Sequence, residues 1–226
     1  MSGHDIFKAH GVTRLCHFTK LQNFTHIIAS ADGILAASAI RPDTKNVTDK
    51  LRADHLLDHV CCSIEYPNSW FLEDAIRRDK NSVFREWVTL YINLEILNIR
   101  ETKFCPCNAS KRNGAYINGN MEQVAFIFTP SLSTFRYPRS SRMLKCCPTD
   151  GQAEILIKDN VPRKYIIGIA VGNKDAAERV YTMIEFCGVE QIPIYIAPDV
   201  LTTRWSSIIR EGHLPTETLY VCSEEE

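Results

Sequence analysis

The stretch Thr149-Asp150-Gly151-Gln152-Ala153-Glu154-Ile155-Leu156-Ile157 decides how this chain is read. The apolar, β-branched run after Glu154 marks a strand entering a core, and it carries one carboxylate at its head. Burial disfavours an ionised carboxylate unless hydrogen bonds or a cation offset the cost. Glu154 is therefore either a well-satisfied structural acid or a catalytic one. Side chains alternate along a strand, so Gln152 is expected on the same face as Glu154, an amide and a carboxylate able to grip adjacent groups of one ligand. The plain alternative is a polar edge where a strand begins.

The chain has 226 residues, 45% hydrophobic and 23% charged, a composition that can bury a substantial core and carries no signature of disorder. One domain spanning 1–226 is expected. The formal net charge of −1 argues against a generally basic coat for nucleic acid and leaves local patches open. No apolar run approaches the roughly 18 residues of a membrane span, and residues 1–5 lack a signal-peptide layout, so a cytoplasmic protein with no membrane partner is expected. The nine cysteines include Cys61-Cys62, Cys105-x-Cys107 and Cys146-Cys147. An odd total without paired C-x2-C knuckles predicts reduced thiols and no metal site.

Upstream, residues 15–18 read as a short buried strand and 20–29 as a helix with Leu21, Phe24, Ile27 and Ile28 at helical spacing. His17 then sits at the strand end, and Thr19 is placed to cap a helix start that suits anionic or polar ligand groups. The polar segment 41–58 carries Arg52, whose planar fork binds phosphate oxygens bidentately. Residues 60–66 and 86–92 read as strands. Between them Trp70, Phe71, Ala75 and Ile76 mark the apolar side of an amphipathic helix. Residues 104–110 are polar, with Asn108 as a turn residue, and 124–128 are either a helix end or a strand. Further strands are expected at 154–157, 165–171 and 192–196, with a helix over 175–187. Strands with helices gathered early and late give an α+β domain around a mixed or antiparallel sheet.

Residues 136–145 are the most basic stretch, and Phe135 and Tyr137 are interleaved with its cations. Arg136, Tyr137, Arg139, Arg142 and Lys145 suit a nucleic-acid backbone and a stacked base, against the alternative of a charged surface loop.

Taken in order, His17-x-Thr19 with Asn23, then Arg52, then Gly151-Gln152-Ala153-Glu154 resemble the DarT family of DNA ADP-ribosyltransferase toxins. Ser63-Ile64-x-Tyr66-Pro67-Asn68 and Phe104-Cys105-x-x-Asn108-Ala109 resemble the guanine-modifying branch more than the thymine branch. Each motif is weak alone, but five in the right order are specific. The resemblance implies an ADP-ribosyltransferase fold, a split β-sheet core with peripheral helices that cradles NAD as co-substrate. It implies that Glu154 is catalytic, that Arg52 is essential, and that His17, Thr19 and Asn23 contact NAD. It also implies a cognate antitoxin whose macrodomain removes the modification. Cys16 stands where many relatives carry an aromatic residue, and Lys20 where the thymine branch commonly has His.

The chemistry agrees with the residues. Cleaving nicotinamide from ribose builds positive charge at the anomeric carbon, which a carboxylate hydrogen-bonded to the 2′-hydroxyl stabilises. The expected reaction is transfer of ADP-ribose to a base, guanine before thymine, in single-stranded DNA. RNA or protein acceptors, or a non-catalytic single-strand-binding module, are the competing readings.

Overall fold

The computed structural model describes residues 2–41, 53–78 and 86–222. In chain order the elements are α1 (Gly3–Ala9), β1 (Leu15–Lys20), α2 (Leu21–Ala29), β2 (Ile34–Leu35), β3 (His59–Ile64), α3 (Ser69–Arg78), β4 (Trp87–Ile92) and β5 (Thr102–Cys105). After a long loop follow β6 (Glu154–Lys158), β7 (Asn160–Val161), β8 (Ile166–Val171), α4 (Lys174–Phe186), β9 (Ile194–Ile196), α5 (Arg204–Arg210) and β10 (Thr218–Leu219).

Eight strands form one mixed sheet in the order β10-β9-β8-β4-β1-β3-β6-β5. Among the described residues only β8 and β9 pair in parallel, and α4 supplies the crossover that a parallel pair requires. Asn173 caps α4, its side-chain oxygen accepting the Ala176 N–H at 2.9 Å, and Ala176, Ala177, Val180 and Ile184 form the buried stripe. The α+β class and the mixed sheet expected from the sequence are both present.

The sheet is split at its middle. Strand β1 pairs with β4 over all six of its residues, Leu15↔Ile92 to Lys20↔Trp87. Strand β3 pairs with β6 from His59↔Lys158 to Ser63↔Glu154. Between β1 and β3 only Leu15↔Ile64 and Cys16↔Ser63 are paired. Beyond Cys16 the strands part, leaving a cleft between the halves β10-β9-β8-β4-β1 and β3-β6-β5. The small sheet of β2 and β7 lies beside it, because Gly33 lets the backbone approach closely. Gly33 has φ +66°, and a Cβ there would stand 2.3 Å from the Val161 carbonyl oxygen.

The alternation of strands gives each face its own core. Leu15, Ile155 and Ile157 join Phe7, Phe24 and Ile28 under α1, α2 and α4. Cys16 and Tyr91 on the opposite face join Tyr66, Met143 and Trp205.

Several local expectations change. Strand β1 runs on to Lys20, so Thr19 does not cap α2; the N-cap is Lys20, with no side-chain bond, and Thr19 Oγ1 instead accepts the Asn23 amide at 3.2 Å. Helix α3 buries Ser69, Leu72 and Ala75, and leaves Trp70 and Ile76 37% and 43% exposed. Residues 124–128 end a 3-10 helix, and the stretch 104–110 begins with the end of β5.

A polar network fastens the last strand to the first. Arg14, just before β1, bonds both carboxylate oxygens of Glu217, just before β10, and Tyr91 Oη donates to the same carboxylate at 3.0 Å. The Arg14 guanidinium lies 3.7 Å from the centroid of the Tyr91 ring. Its Nε donates to the carbonyl of Glu65 at 3.0 Å. Burial pushes the Glu65 carboxyl up, and bonds from the Thr13 N–H and hydroxyl act against that shift. The Arg14 and Glu217 side chains are only 14% and 15% exposed, so removing one strands a mostly buried charge. Glu217→Ala is expected to destabilise the fold by about 3 kcal/mol, read as a lower denaturant midpoint at unchanged slope.

Candidate active site

The cleft holds a cavity of about 710 Å³, within the ordinary range of ligand pockets. Cys16, His17, Phe18 and Thr19 of β1 line one side, and Val60 to Ser63 of β3 line the other. His17 spans the gap. Its Nδ1 lies 2.9 Å from the Cys61 carbonyl oxygen, and because a carbonyl only accepts, Nδ1 carries the proton. A side chain here stands in for the ladder bonds that the parted strands no longer make.

Asn23 and Ile27 of α2 and Ile34 and Leu35 of β2 continue the wall. Helix α3 closes it with Phe71, Asp74 and Arg78, one helical face at spacings of three and four. Asn68 fixes the start of α3: its side-chain oxygen accepts the Phe71 N–H at 3.2 Å, and its own N–H donates to Ser63 Oγ at 2.9 Å. The ring of Phe18 packs 5.9 Å from those of Phe71 and Trp87.

Glu154 begins β6 at the point of the split. It sits across from Ser63 on one side and Cys105 on the other, is 8% exposed, and lines the cavity. Its Oε1 accepts two bonds, from Asn108 Nδ2 at 2.9 Å and the Ala109 N–H at 3.1 Å. Asn108 is itself held, since its side-chain oxygen accepts the Ser110 N–H at 3.0 Å. The carboxylate thus keeps one orientation towards the cavity, the preorganisation that charge stabilisation requires.

His17, Thr19, Asn23 and Glu154 therefore meet at one cavity. Gln152 does not join them. It lies in a turn, where its N–H donates to Asp150 Oδ1 at 2.9 Å and the Ala153 N–H closes on the Asp150 carbonyl at 2.9 Å. The strand starts only at Glu154, so the period of two cannot be extended back to residue 152, and Gln152 is not among the residues lining the cavity. Burial pushes the Asp150 carboxyl up, partly opposed by the Gln152 N–H. Arg52 lies outside the described residues. Among those described, Arg41 and Arg78 bring cationic side chains to the cavity. Sequence reasoning gave no site role to Asn108, Asn68 or Phe71: the two asparagines entered only through the branch motifs, and Phe71 only as part of an amphipathic helix. Besides its motif, Asn108 had a local signal only as a turn former, and its contact with Glu154 follows from the Cys105↔Glu154 pairing three residues earlier.

The basic strip divides. Arg136, Tyr137, Arg142 and Lys145 are exposed. Arg139 is turned inward: Nη1 donates to the Cys147 carbonyl at 2.8 Å and Nη2 to the Leu144 carbonyl at 2.6 Å. Its fork ties the loop to itself, which corrects the expectation of a nucleic-acid contact at this position. No group of three or more His, Cys, Asp or Glu side chains placed to hold a metal occurs among the described residues.

A family model described as DarT, ssDNA thymidine ADP-ribosyltransferase, matches residues 16–202. Among solved structures, Thermus sp. 2.9 DarT in complex with ADP-ribosylated ssDNA is similar at 18% identity and a TM-score of 0.61, over 84% of this chain and 96% of that one. The same protein in complex with NAD+ matches at 18% identity and a TM-score of 0.59, over 80% and 93%. Thermosipho africanus DarTG in complex with ADP-ribose matches at 16% identity and a TM-score of 0.57, over 84% of this chain and 51% of that one. Comparison with curated protein sequences gives no match.

The two kinds of arginine in the strip separate by stability. Arg139→Ala takes its donor from the Cys147 carbonyl and leaves the Leu144 carbonyl only the Cys147 N–H, and is expected to cost about 2 kcal/mol. Arg142→Ala, at an exposed position, should stay within roughly 0.5 kcal/mol of the parent in the same unfolding titration.

Proposed function

This chain belongs to the DarT family of single-stranded-DNA ADP-ribosyltransferases, and from that premise we propose that it consumes NAD and transfers ADP-ribose to guanine in single-stranded DNA, acting as a toxin. The observation that carries the reading is the Glu154 carboxylate, fixed through Oε1 by Asn108 and Ala109 at the point where the sheet splits, and facing a cavity of about 710 Å³. The lining suits a dinucleotide. Phe18, Ile27, Ile34 and Phe71 offer apolar walls for flat rings, and His17, Thr19, Asn23 and Asn68 offer polar groups for ribose and amide.

NAD would supply the ADP-ribosyl group and nicotinamide as the leaving group. The chain does the rest. Glu154 accepts a hydrogen bond from the ribose 2′-hydroxyl and opposes the positive charge that builds at the anomeric carbon as the bond to nicotinamide breaks. The bonding pair leaves with nicotinamide, and a nitrogen of the base attacks the same carbon. Its proton passes to Glu154 or a nearby acceptor. Asn108 keeps the carboxylate aimed. His17, through Nδ1–H, holds the two halves at a fixed opening while its ring faces the cavity. Arg52 is assigned to the diphosphate, which its fork binds bidentately. Single-stranded DNA presents a base without the cost of unpairing, and Arg136, Tyr137, Arg142 and Lys145 are the exposed groups assigned to its backbone and bases.

The family description names thymidine. Support for guanine comes from the resemblance of Ser63-Ile64-x-Tyr66-Pro67-Asn68 and Phe104-Cys105-x-x-Asn108-Ala109 to the guanine branch, and from the position of Ser63, Asn68 and Asn108 on the cavity wall. A toxin of this kind pairs with an antitoxin, and a macrodomain that removes the modification is the partner assigned by family resemblance.

The test is intact mass spectrometry of single-stranded oligodeoxynucleotides that differ in one base, after incubation with the chain and NAD. A gain of one ADP-ribose on guanine-containing strands alone is the expected result. A gain on thymine strands alone overturns the base assignment and leaves the reaction standing. A gain on RNA or protein but on no DNA, or no gain on any acceptor, overturns the proposed acceptor or the activity itself.

A further inference from the structure

Gly151 precedes the catalytic carboxylate by three residues, and its lack of a side chain has a clear steric cause. A Cβ at this position would stand 2.7 Å from the Trp70 ring and 2.8 Å from the Trp205 ring. Two indoles therefore press against the backbone leading into Glu154. They play different parts. Trp205 is fully buried, stacks on Tyr66 at 5.2 Å, and donates from Nε1 to Ser69 Oγ at 2.9 Å. Trp70 meets Trp205 edge-on, at 5.6 Å and 75°, and remains 37% exposed. An exposed indole held upright by a buried one keeps its orientation without a bound ligand.

Trp70 is not itself among the residues that line the cavity, but in sequence it lies between two that are. Asn68 and Phe71, on either side of Trp70 in sequence, both line the cavity, as does Glu154 beyond Gly151. On the other side the same backbone leads to the basic loop. Arg210, on the helix that carries Trp205, donates to the Thr149 carbonyl at 3.0 Å and the Pro138 carbonyl at 3.2 Å. Its guanidinium lies 5.9 Å from the centroid of Tyr137, a ring 57% exposed and flanked by Arg136 at 5.4 Å. Two exposed aromatic rings, Trp70 and Tyr137, are thus joined through the segment 149–151, with Arg136, Arg142 and Lys145 exposed alongside.

We propose that Trp70 is a base-stacking residue for single-stranded DNA, taking the nucleotide next to the modified base, and that it begins a track continuing over Arg210 to Tyr137. This deepens and rests on the acceptor assigned above. Aromatic faces alternating with cations are the usual means of holding a single strand, because every base has a π-face and every linkage a charge. The position of Trp70 outside the basic strip is what the loop alone does not explain. A purely structural role, covering Trp205, would leave DNA affinity untouched.

The test measures the affinity of the full chain for a short fluorescein-labelled single-stranded oligodeoxynucleotide by anisotropy, with no NAD present, for the parent, Trp70→Ala, Trp70→Phe, Tyr137→Ala and Lys145→Ala. Trp70→Ala is expected to weaken binding about tenfold, the effect of losing one stacked base. Trp70→Phe should restore most of it. The Trp70→Ala loss should persist at high salt, whereas the Lys145→Ala loss should shrink as counterion release is screened. If Trp70→Ala does not fold, Trp70→Phe and Tyr137→Ala carry the test, Tyr137→Ala showing the same salt-independent loss. Unchanged affinity in folded Trp70→Ala, or a tenfold loss that Phe does not rescue, overturns the proposal. Binding is read apart from catalysis, so an inactive parent that still binds through Trp70 would sink the transferase reading and leave the stacking track in place. Equal weakening on RNA of the same sequence would overturn the restriction to DNA.

Discussion

The structure depends on one interruption: β1 and β3 are paired at Leu15↔Ile64 and Cys16↔Ser63 and then part. Each strand keeps its outer neighbour, β4 or β6, so beyond Cys16 the groups of β1 and β3 that face each other no longer form a ladder, while neither strand loses its place. Such groups demand compensation. Part of it comes from the His17 ring, which meets the Cys61 carbonyl across the opening. The remaining space becomes the cavity. Opening a sheet at its centre places a ligand between two rigid halves, and a carboxylate at the point of the opening faces that ligand from a strand instead of a loop.

The buried supports of the site follow from the same geometry. Glu154 takes its position from β6, its neighbours from Ser63 and Cys105, and its orientation from Asn108 and Ala109 just past β5. Helix α3 is held against the opening by the Asn68 cap and by the Ser69 hydroxyl, which receives the Trp205 N–H and donates to the Val200 carbonyl at 3.1 Å. Buried polar groups of this kind fix one arrangement because each leaves an unsatisfied partner if it moves.

Much of this was legible in the chain. The longer strands and helices were visible because their apolar residues recur with a strong period, and Glu154 stood out as a charge at the head of a buried run. The short elements were harder to see. Strands β2, β7 and β10 have two residues each, too few to show alternation, and β5 ends in Cys105-Pro106-Cys107, where Pro argues for a turn. Helix α1 starts at a capping box of Ser2 and Asp5, which went unread in a stretch otherwise weak in pattern. At the site, His17 and Thr19 were marked by the strand-to-helix junction they lie on and Asn23 by the family resemblance, and all three line the cavity. Asn108 and Trp70 come from other parts of the chain, and only tertiary pairing brings them to Glu154 and Gly151. Gln152 and Arg139 depart from expectation for one reason: sequence periodicity and charge assign a direction to a side chain, but a turn at 150–153 takes Gln152 off the strand and the carbonyls of Leu144 and Cys147 take the fork of Arg139.

The central claim is that Glu154 is held at the opening of the sheet for chemistry and not for stability. The most direct measurement compares the parent chain with Glu154→Gln for NAD affinity by calorimetry and for nicotinamide release in the presence of single-stranded DNA. The account predicts NAD affinity within a few-fold of the parent and release slowed by about 100-fold or more. Release at the parental rate would contradict it, as would a folded variant that no longer binds NAD, which would make Glu154 a ligand-holding acid without a catalytic part.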